Sequence, residues 1–507
     1  MKPVKAALLT SFLATTALAQ QPPLSAIDWL DELGTVPIAQ PKPGEPAVTE
    51  TALTPKVDVM PLDTANADAV GLLPSTTTGL PASLWSASTT DDLITELSHI
   101  APTPLPALQA LYYTLLLAEA DAPVDAGKDA AFLKARVATL IDFGAADPAR
   151  ALLERAGPQN PVLFDQWLDV SLLSGTENAA CDVLRENPGL SQSYTARIYC
   201  TARAGDWPTA ALTYETAVGL DALSPVEASL LAFYLDPETI EFESLPTPPK
   251  TMSPLIFRLF EAAGNPLPTN RLPRIYATAD LREVAGWRAE IEAAERLTRT
   301  GALPANRLLG LYTDRKPAAS GGVWDRVRAV QAFDAALQKG DVDQIAATLP
   351  RAWRAMRDRG LQTAFAQLFA SALKDVKLPA ASQEISFFVN LLSDEYESAG
   401  DILETPDSRQ AFLIALAAGA PDDAPANTSR ERAIARGFST EQPKPEQAYL
   451  IKAGKIGQVI LTATNQLDSA RNGSLSDMTN ALVTLRSLGL EDTARRAALQ
   501  LLVLGPS

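Results

Sequence analysis

The sequence holds one histidine, His99, and two cysteines, Cys181 and Cys200. Zinc sites built from several imidazoles or four thiolates cannot be assembled from so few ligands. A Ser-His-Asp site would have to use His99, which lies in an apolar helical stretch, and Gly-x-Ser-x-Gly occurs nowhere. His99 is therefore expected at the surface or at a helix cap. There is no Gly-x4-Gly-Lys-Ser/Thr phosphate loop and no strand-led Gly-x-Gly-x-x-Gly. Alternating strand patterns are missing too, as are Asn-Gly hairpins flanked by them. Beyond the N-terminus no segment approaches 18 uninterrupted apolar residues, so no stable membrane insertion is expected. This reading assigns no catalytic residue, no cofactor and no metal.

Two fragments of catalytic vocabulary remain. Ser371-Ala372-Leu373-Lys374, Ser393-Asp394 and Lys452-Ala453-Gly454 follow the order found in penicillin-recognising enzymes. The second element has no Asn and the third no Thr, and the third falls in a helical run rather than a strand. The acid pairs Asp394 with Glu395 and Glu290 with Glu295 are expected on exposed helix faces. A glycosidase would instead need two carboxylates facing each other across a cleft.

Charge is uneven along the chain, whose total is −17. Positions 20–250 hold 31 acids and 11 bases, whereas 251–507 are almost neutral. An acidic half repels phosphate, so nucleic-acid binding is not expected.

The first residues read as a signal peptide over 1–19. Lys2 and Lys5 are followed by an apolar stretch and the small-residue site Ala17-Leu18-Ala19. The style is bacterial and points to the periplasm, with secretion as the alternative. Residues 20–83 are rich in Pro, Thr, Ala and acids, a composition that buries too little apolar surface to order itself. They are expected to form a disordered tether. Within it Ile27, Trp29, Leu30 and Leu33 make a short amphipathic island, which reads either as a docking helix or as a segment folded onto its own chain.

From 84 the pattern turns helical and stays so. Helical runs fill 84–236, a Pro-rich break at 237–254 marks an expected boundary, and a second helical array follows over 255–507 with a loop at 418–445. The organising feature lies in the first array. Gly144-Ala145-Ala146-Asp147-Pro148-Ala149, Gly175-Thr176-Glu177-Asn178-Ala179-Ala180 and Gly205-Asp206-Trp207-Pro208-Thr209-Ala210 recur 31 and 30 residues apart. A glycine after an apolar run ends a helix, and Asp, Asn or Pro soon after starts the next. The small residue five places on sits where paired helices must approach closely.

These residues resemble the tetratricopeptide (TPR) repeat. Gly205, Asp206, Trp207, Ala210, Tyr214 and Ala217 match the start and inner face of its second helix. Gly144 with Ala149, Leu153 and Ala156, and Gly175 with Ala180 and Leu184, match fewer positions. The period is shorter than the family's 34 residues, and the first-helix tryptophan and tyrosine are missing. The resemblance implies an all-α solenoid of helical hairpins that binds a peptide or protein in a groove near Trp207 and Tyr214. It brings no catalytic residue. The whole chain also resembles, in style, uncharacterised exported proteins of alphaproteobacteria.

Cys181 and Cys200 fall eight residues before and eleven after Gly189, on consecutive helices. In an oxidising compartment they are expected to pair and close one hairpin. The functional expectation is an exported, non-catalytic interaction protein of the cell envelope, with an envelope protein or peptide as partner. The alternative is a carboxylate-dependent hydrolase acting on cell-wall glycan.

Overall fold

A computed structural model describes residues 66–236 and 244–504. Every regular element of length among them is a helix, and the one extended pairing is a parallel bridge between Leu73 and Ala118. The all-α expectation therefore holds. Local chemistry explains where many of the helices begin and end. Asp206 caps the Trp207–Gly219 helix through the Thr209 N–H, and Asp341 caps Val342–Arg357 through the Gln344 N–H. Ser224 and Glu227 form a reciprocal capping box ahead of Pro225–Leu235. Gly144, Gly175 and Gly340 end their helices in the left-handed region.

From Ala131 each helix packs directly on the next: Ala131–Phe143, Ala146–Ala156, Phe164–Ser174, Glu177–Glu186, Tyr194–Arg203, Trp207–Gly219 and Pro225–Leu235. The alanines five after each signature glycine, Ala149, Ala180 and Ala210, are 0% exposed, as is Ala217. A larger side chain there would push neighbouring helices apart. Cys181 and Cys200 form a disulfide, with Cα atoms 4.8 Å apart, joining Glu177–Glu186 to Tyr194–Arg203.

Several boundaries differ from expectation. The described residues belong to one compact unit, and its core does not divide at 237–254. One apolar cluster runs from Leu84 to Ala279 and resumes from Phe387 to Leu501, while a second occupies Ala277 to Leu392. The chain returns on itself: Thr90–Ser98 packs on Ile456–Ser469, and Pro106–Leu117 on Glu491–Val503. The two expected arrays are thus interleaved in one core.

Gly144 and Gly175 are where this interleaving is tightest. A Cβ on Gly144, at φ +82°, would lie 2.6 Å from Leu297 Cδ2 and 3.0 Å from Arg274 Cγ. One on Gly175 would lie 2.9 Å from Arg282 Cδ. These glycines end helices and also admit side chains from the later part of the chain. Gly205, at φ +88°, has open space where its Cβ would be. Gly205→Ala should therefore cost only the left-handed strain, about 1–2 kcal/mol. Gly144→Ala adds a clash worth about 1–3 kcal/mol more, because Leu297 is held in the core. Chemical denaturation of both variants tests the ordering.

Of the tether expected over 20–83, residues 20–65 lie outside the described residues, and 66–83 have defined structure. Residues 66–73 are packed, with a 3-10 turn at Ala67–Ala69 and Asp68 wholly buried, and most of 74–83 runs exposed through a short helix at Ser75–Thr78. The loop expected over 418–445 contains a helix, Ser429–Ser439, whose Thr428 and Glu431 make a capping box. It packs on Leu475–Ser487, with Leu482 pressed against Gly437. After the 418–445 stretch the chain turns at Gly454, φ +79°, between the helices Pro445–Lys452 and Ile456–Ser469. The island Ile27, Trp29, Leu30 and Leu33, and the leader at 1–19, lie outside the described residues.

Candidate binding cleft

The turn after each of the first two signature glycines opens into the same polar cleft, about 500 Å³ in volume. Gly144, Gly175 and Glu177 form one wall, and Arg258, Arg282 and Arg307 come from later segments. Glu177 opens the Glu177–Glu186 helix, where a carboxylate suits the positive end of the helix dipole. It is 0% exposed, and its Oε1 accepts from Arg258 Nη2 at 2.7 Å and from the Tyr199 hydroxyl at 3.4 Å. Arg203 Nη2 lies 3.1 Å from the same oxygen.

The network continues inward. Arg258 Nη1 donates to Glu261 Oε2 at 2.5 Å, and Arg282 Nη2 donates to both Glu261 oxygens at 2.6 and 2.7 Å. Burial opposes the Arg258 charge, but hydrogen bonding to Glu261 and the charge of Glu177 outweigh it, so its pKa rises above the ordinary value. Burial, then the Glu177 charge, raises the Tyr199 pKa, so the phenol stays protonated and donates. Three guanidinium groups, Arg203 and Arg258 on helices and Arg282 in the turn after Ala277–Asp280, are thereby fixed around two carboxylates, an arrangement that sets their N–H donors in defined directions.

Arg307 differs from them. It is exposed, and among the described residues no carboxylate lies within ion-pair distance of it. With Leu281 and Glu283 it also lines a second cleft of about 670 Å³, so the two hollows share an edge. Glu283 holds φ at +63°, an unusual backbone for a glutamate.

The other sequence-derived candidates fall elsewhere. Trp207 is 46% exposed and packs tilted against Tyr234, with ring centroids 6.0 Å apart, while the Tyr214 hydroxyl donates to the Ala228 carbonyl. Neither residue lines the cleft, so the expected aromatic groove is not where the hollow lies. Glu290 and Glu295 do not sit on exposed faces as expected, being 9% and 0% exposed. Glu295 is committed to Tyr312, Arg326 and Arg359. Lys374 donates to Ser398 Oγ at 2.9 Å rather than to Ser371. His99 is exposed and caps the Thr90–Ser98 helix, as expected.

No sequence signal points to Arg282 or Arg307, which lie in an irregular segment and on a short helix, far along the chain from the glycines that line the same cleft. Arg258 with Glu261 had a faint signal, an opposite-charge pair at helical spacing. Among the described residues no group of His, Cys, Asp and Glu is placed to hold a metal ion, and no helix is long and apolar enough to cross a membrane. Compared with known proteins, this chain matches no protein-family model, no curated protein and no solved structure.

Proposed function

We propose that this chain is an exported, non-catalytic interaction protein of the bacterial cell envelope. Its helices from Ala131 to Gly219 act as TPR-like hairpins of a solenoid, and its ligand is a peptide or protein segment held in the cleft beside Gly144 and Gly175. One observation carries the reading: equivalent turns of two successive repeats face one hollow, together with the guanidinium groups of Arg203, Arg258 and Arg282, each held by a carboxylate. A repeat protein recognises an extended chain in this manner, since each repeat offers the next donor along a line. Carbonyls and carboxylates of a peptide are the complementary acceptors. The disulfide fits an oxidising compartment, which agrees with the periplasmic or secreted destination read from residues 1–19.

A photoreactive residue at position 307, installed in the cell, tests this directly. One dominant adduct with an envelope protein is expected, diminished by the charge reversal Arg282→Glu. The same probe at Tyr449, which is 72% exposed and far from the cleft in sequence, should not give that adduct. Equal capture from both positions would overturn the cleft as the site, and capture from neither would overturn the scaffold.

A further inference from the structure

A third hollow, a cavity of about 480 Å³, shares the lining residue Leu303 with the first cleft. It forms where four distant parts of the chain meet: the Pro106–Leu117 helix, the turn after Trp287–Thr298, the start of Gln362–Lys374, and Glu491–Val503. Its size is in the range of small-molecule sites. What singles it out is the state of its buried polar groups.

Gln109 lines this cavity and is 4% exposed, yet neither its amide nitrogen nor its amide oxygen has a hydrogen-bond partner in the protein. Thr298 lines it too, is 8% exposed, and its hydroxyl is likewise unpartnered. Buried polar atoms are nearly always satisfied, and each orphan is destabilising. Three such atoms from two helices on one small cavity form an uncommon cluster. Nearby polar groups are satisfied: the Tyr113 hydroxyl donates to the Thr300 carbonyl, and Gln500 Oε1 accepts from the Ala107 N–H.

The charge of the lining is one-sided. No Asp or Glu contributes to it, whereas Arg299 and Arg496 do. Arg496 is neutralised by Asp394, at 2.7 Å. Arg299 donates through Nε only to the carbonyl of Glu295, the carboxylate of which is occupied by Arg326 and Arg359. Burial, then the charge of Arg359, lowers the Arg299 pKa, and an anion beside it would reverse both effects. The site thus offers one under-compensated cation and, once the Gln109 and Thr298 side chains turn from their closed positions toward the cavity, one amide able to donate and accept together and one hydroxyl.

We propose that this cavity binds a short peptide by its free C-terminal carboxylate, with Arg299 taking the carboxylate and Gln109 pairing with the adjacent peptide unit. A peptide group carries one N–H and one C=O, the complement of the Gln109 amide. Thr298 supplies a third contact. The site is separate from the cleft proposed for the envelope partner and stands whether or not that cleft binds anything.

Calorimetric titration of the purified full chain with L-alanyl-L-alanine, its C-terminal amide and acetate tests the assignment. Saturable binding of the dipeptide is expected, at least about tenfold tighter than either comparator. Gln109→Leu should weaken the dipeptide by about tenfold or more while the unliganded variant melts no lower than the parent, since an orphaned amide has been removed. Arg299→Gln should erase the preference for the acid over the amide. If the parent gives no saturable heat with the dipeptide, water alone fills the cavity and the proposal fails. Acetate binding as tightly as the dipeptide, or both variants binding like the parent, would overturn it equally.

Discussion

Glu295→Gln is expected to destabilise the protein by about 3–5 kcal/mol, the range for removing one partner from a buried ion pair. Glu295 is 0% exposed and lies on the Trp287–Thr298 helix. Its Oε1 accepts from the Tyr312 hydroxyl at 2.8 Å and from Arg326 Nε at 2.5 Å, and its Oε2 from Arg326 Nη2 at 2.9 Å and Arg359 Nε at 3.0 Å. One carboxylate therefore ties four consecutive segments of the second apolar cluster together. Glutamine keeps the shape but removes the charge, leaving two guanidinium groups facing each other and an amide N–H₂ turned toward donors. The loss should exceed that of Arg328→Ala, whose pair with Asp325 is solvent-exposed and screened by water. Urea denaturation of the two variants makes the comparison. The double variant Glu295→Leu with Arg326→Met should recover part of the stability, because an apolar replacement leaves fewer orphaned charges than a half-deleted pair. A Glu295→Gln cost as small as that of Arg328→Ala would show that the buried cluster does not hold these helices.

Much of the fold was legible because its signals are local. The Asp206 cap, the glycines ending Ala131–Phe143 and Phe164–Ser174, and the small residues at Ala149, Ala180 and Ala210 all act within a turn or two. The disulfide was legible for a different reason: only two cysteines exist, and they fall on neighbouring helices. The failures share a cause. Ser429–Ser439 carries Arg430, Glu431, Arg432 and Arg436 around a narrow apolar stripe, and its Gly437 reads as a breaker. In the structure that glycine is a contact point for Leu482, a partner 45 residues away. Glu290 and Glu295 read as surface acids because the arginines that make Glu295 burial tolerable are 31 and 64 residues distant. The interleaving of the first and last helices has no local signature at all. The cleft inherits this division, with its glycine wall visible in the repeat and its arginine wall set by tertiary packing.

The other large effect is expected at Arg136, where the same reasoning reaches a segment whose composition argued for disorder. Arg136 is 1% exposed on the Ala131–Phe143 helix and donates to four backbone carbonyls. Its Nε and Nη2 reach Leu116 O at 2.9 and 2.7 Å, and Nη2 also reaches Ala118 O at 3.1 Å. Its Nη1 reaches Val70 O at 2.8 Å and Asp68 O at 3.3 Å. Burial pushes its pKa down to about 10, still far enough above neutrality for the side chain to remain a cation. Asp68 adds a second tie, since its Oδ1 accepts from the Leu133 N–H at 2.7 Å near the start of that helix. One arginine and one aspartate thus anchor residues 66–70 to the end of one helix and the first turn of another. A Pro- and Thr-rich stretch with little apolar surface becomes ordered here through backbone hydrogen bonds rather than through a hydrophobic face. Arg136→Met removes every donor at once and leaves four carbonyls in an apolar surround. A loss of about 4 kcal/mol or more is expected, each buried orphan costing about 1–3 kcal/mol with partial relaxation. Asp68→Ala, which removes one capping acceptor, should cost about 1–2 kcal/mol. Hydrogen exchange read segment by segment distinguishes the two. Arg136→Met should expose the amides of Leu72, Leu73 and Glu119, which pair across the bridge to the Leu117 and Leu73 carbonyls. Asp68→Ala should accelerate mainly the amide of Leu133. If Arg136→Met leaves residues 66–83 as protected as in the parent, the segment is held by its apolar contacts at Leu72 and Leu80, and the arginine is a bystander.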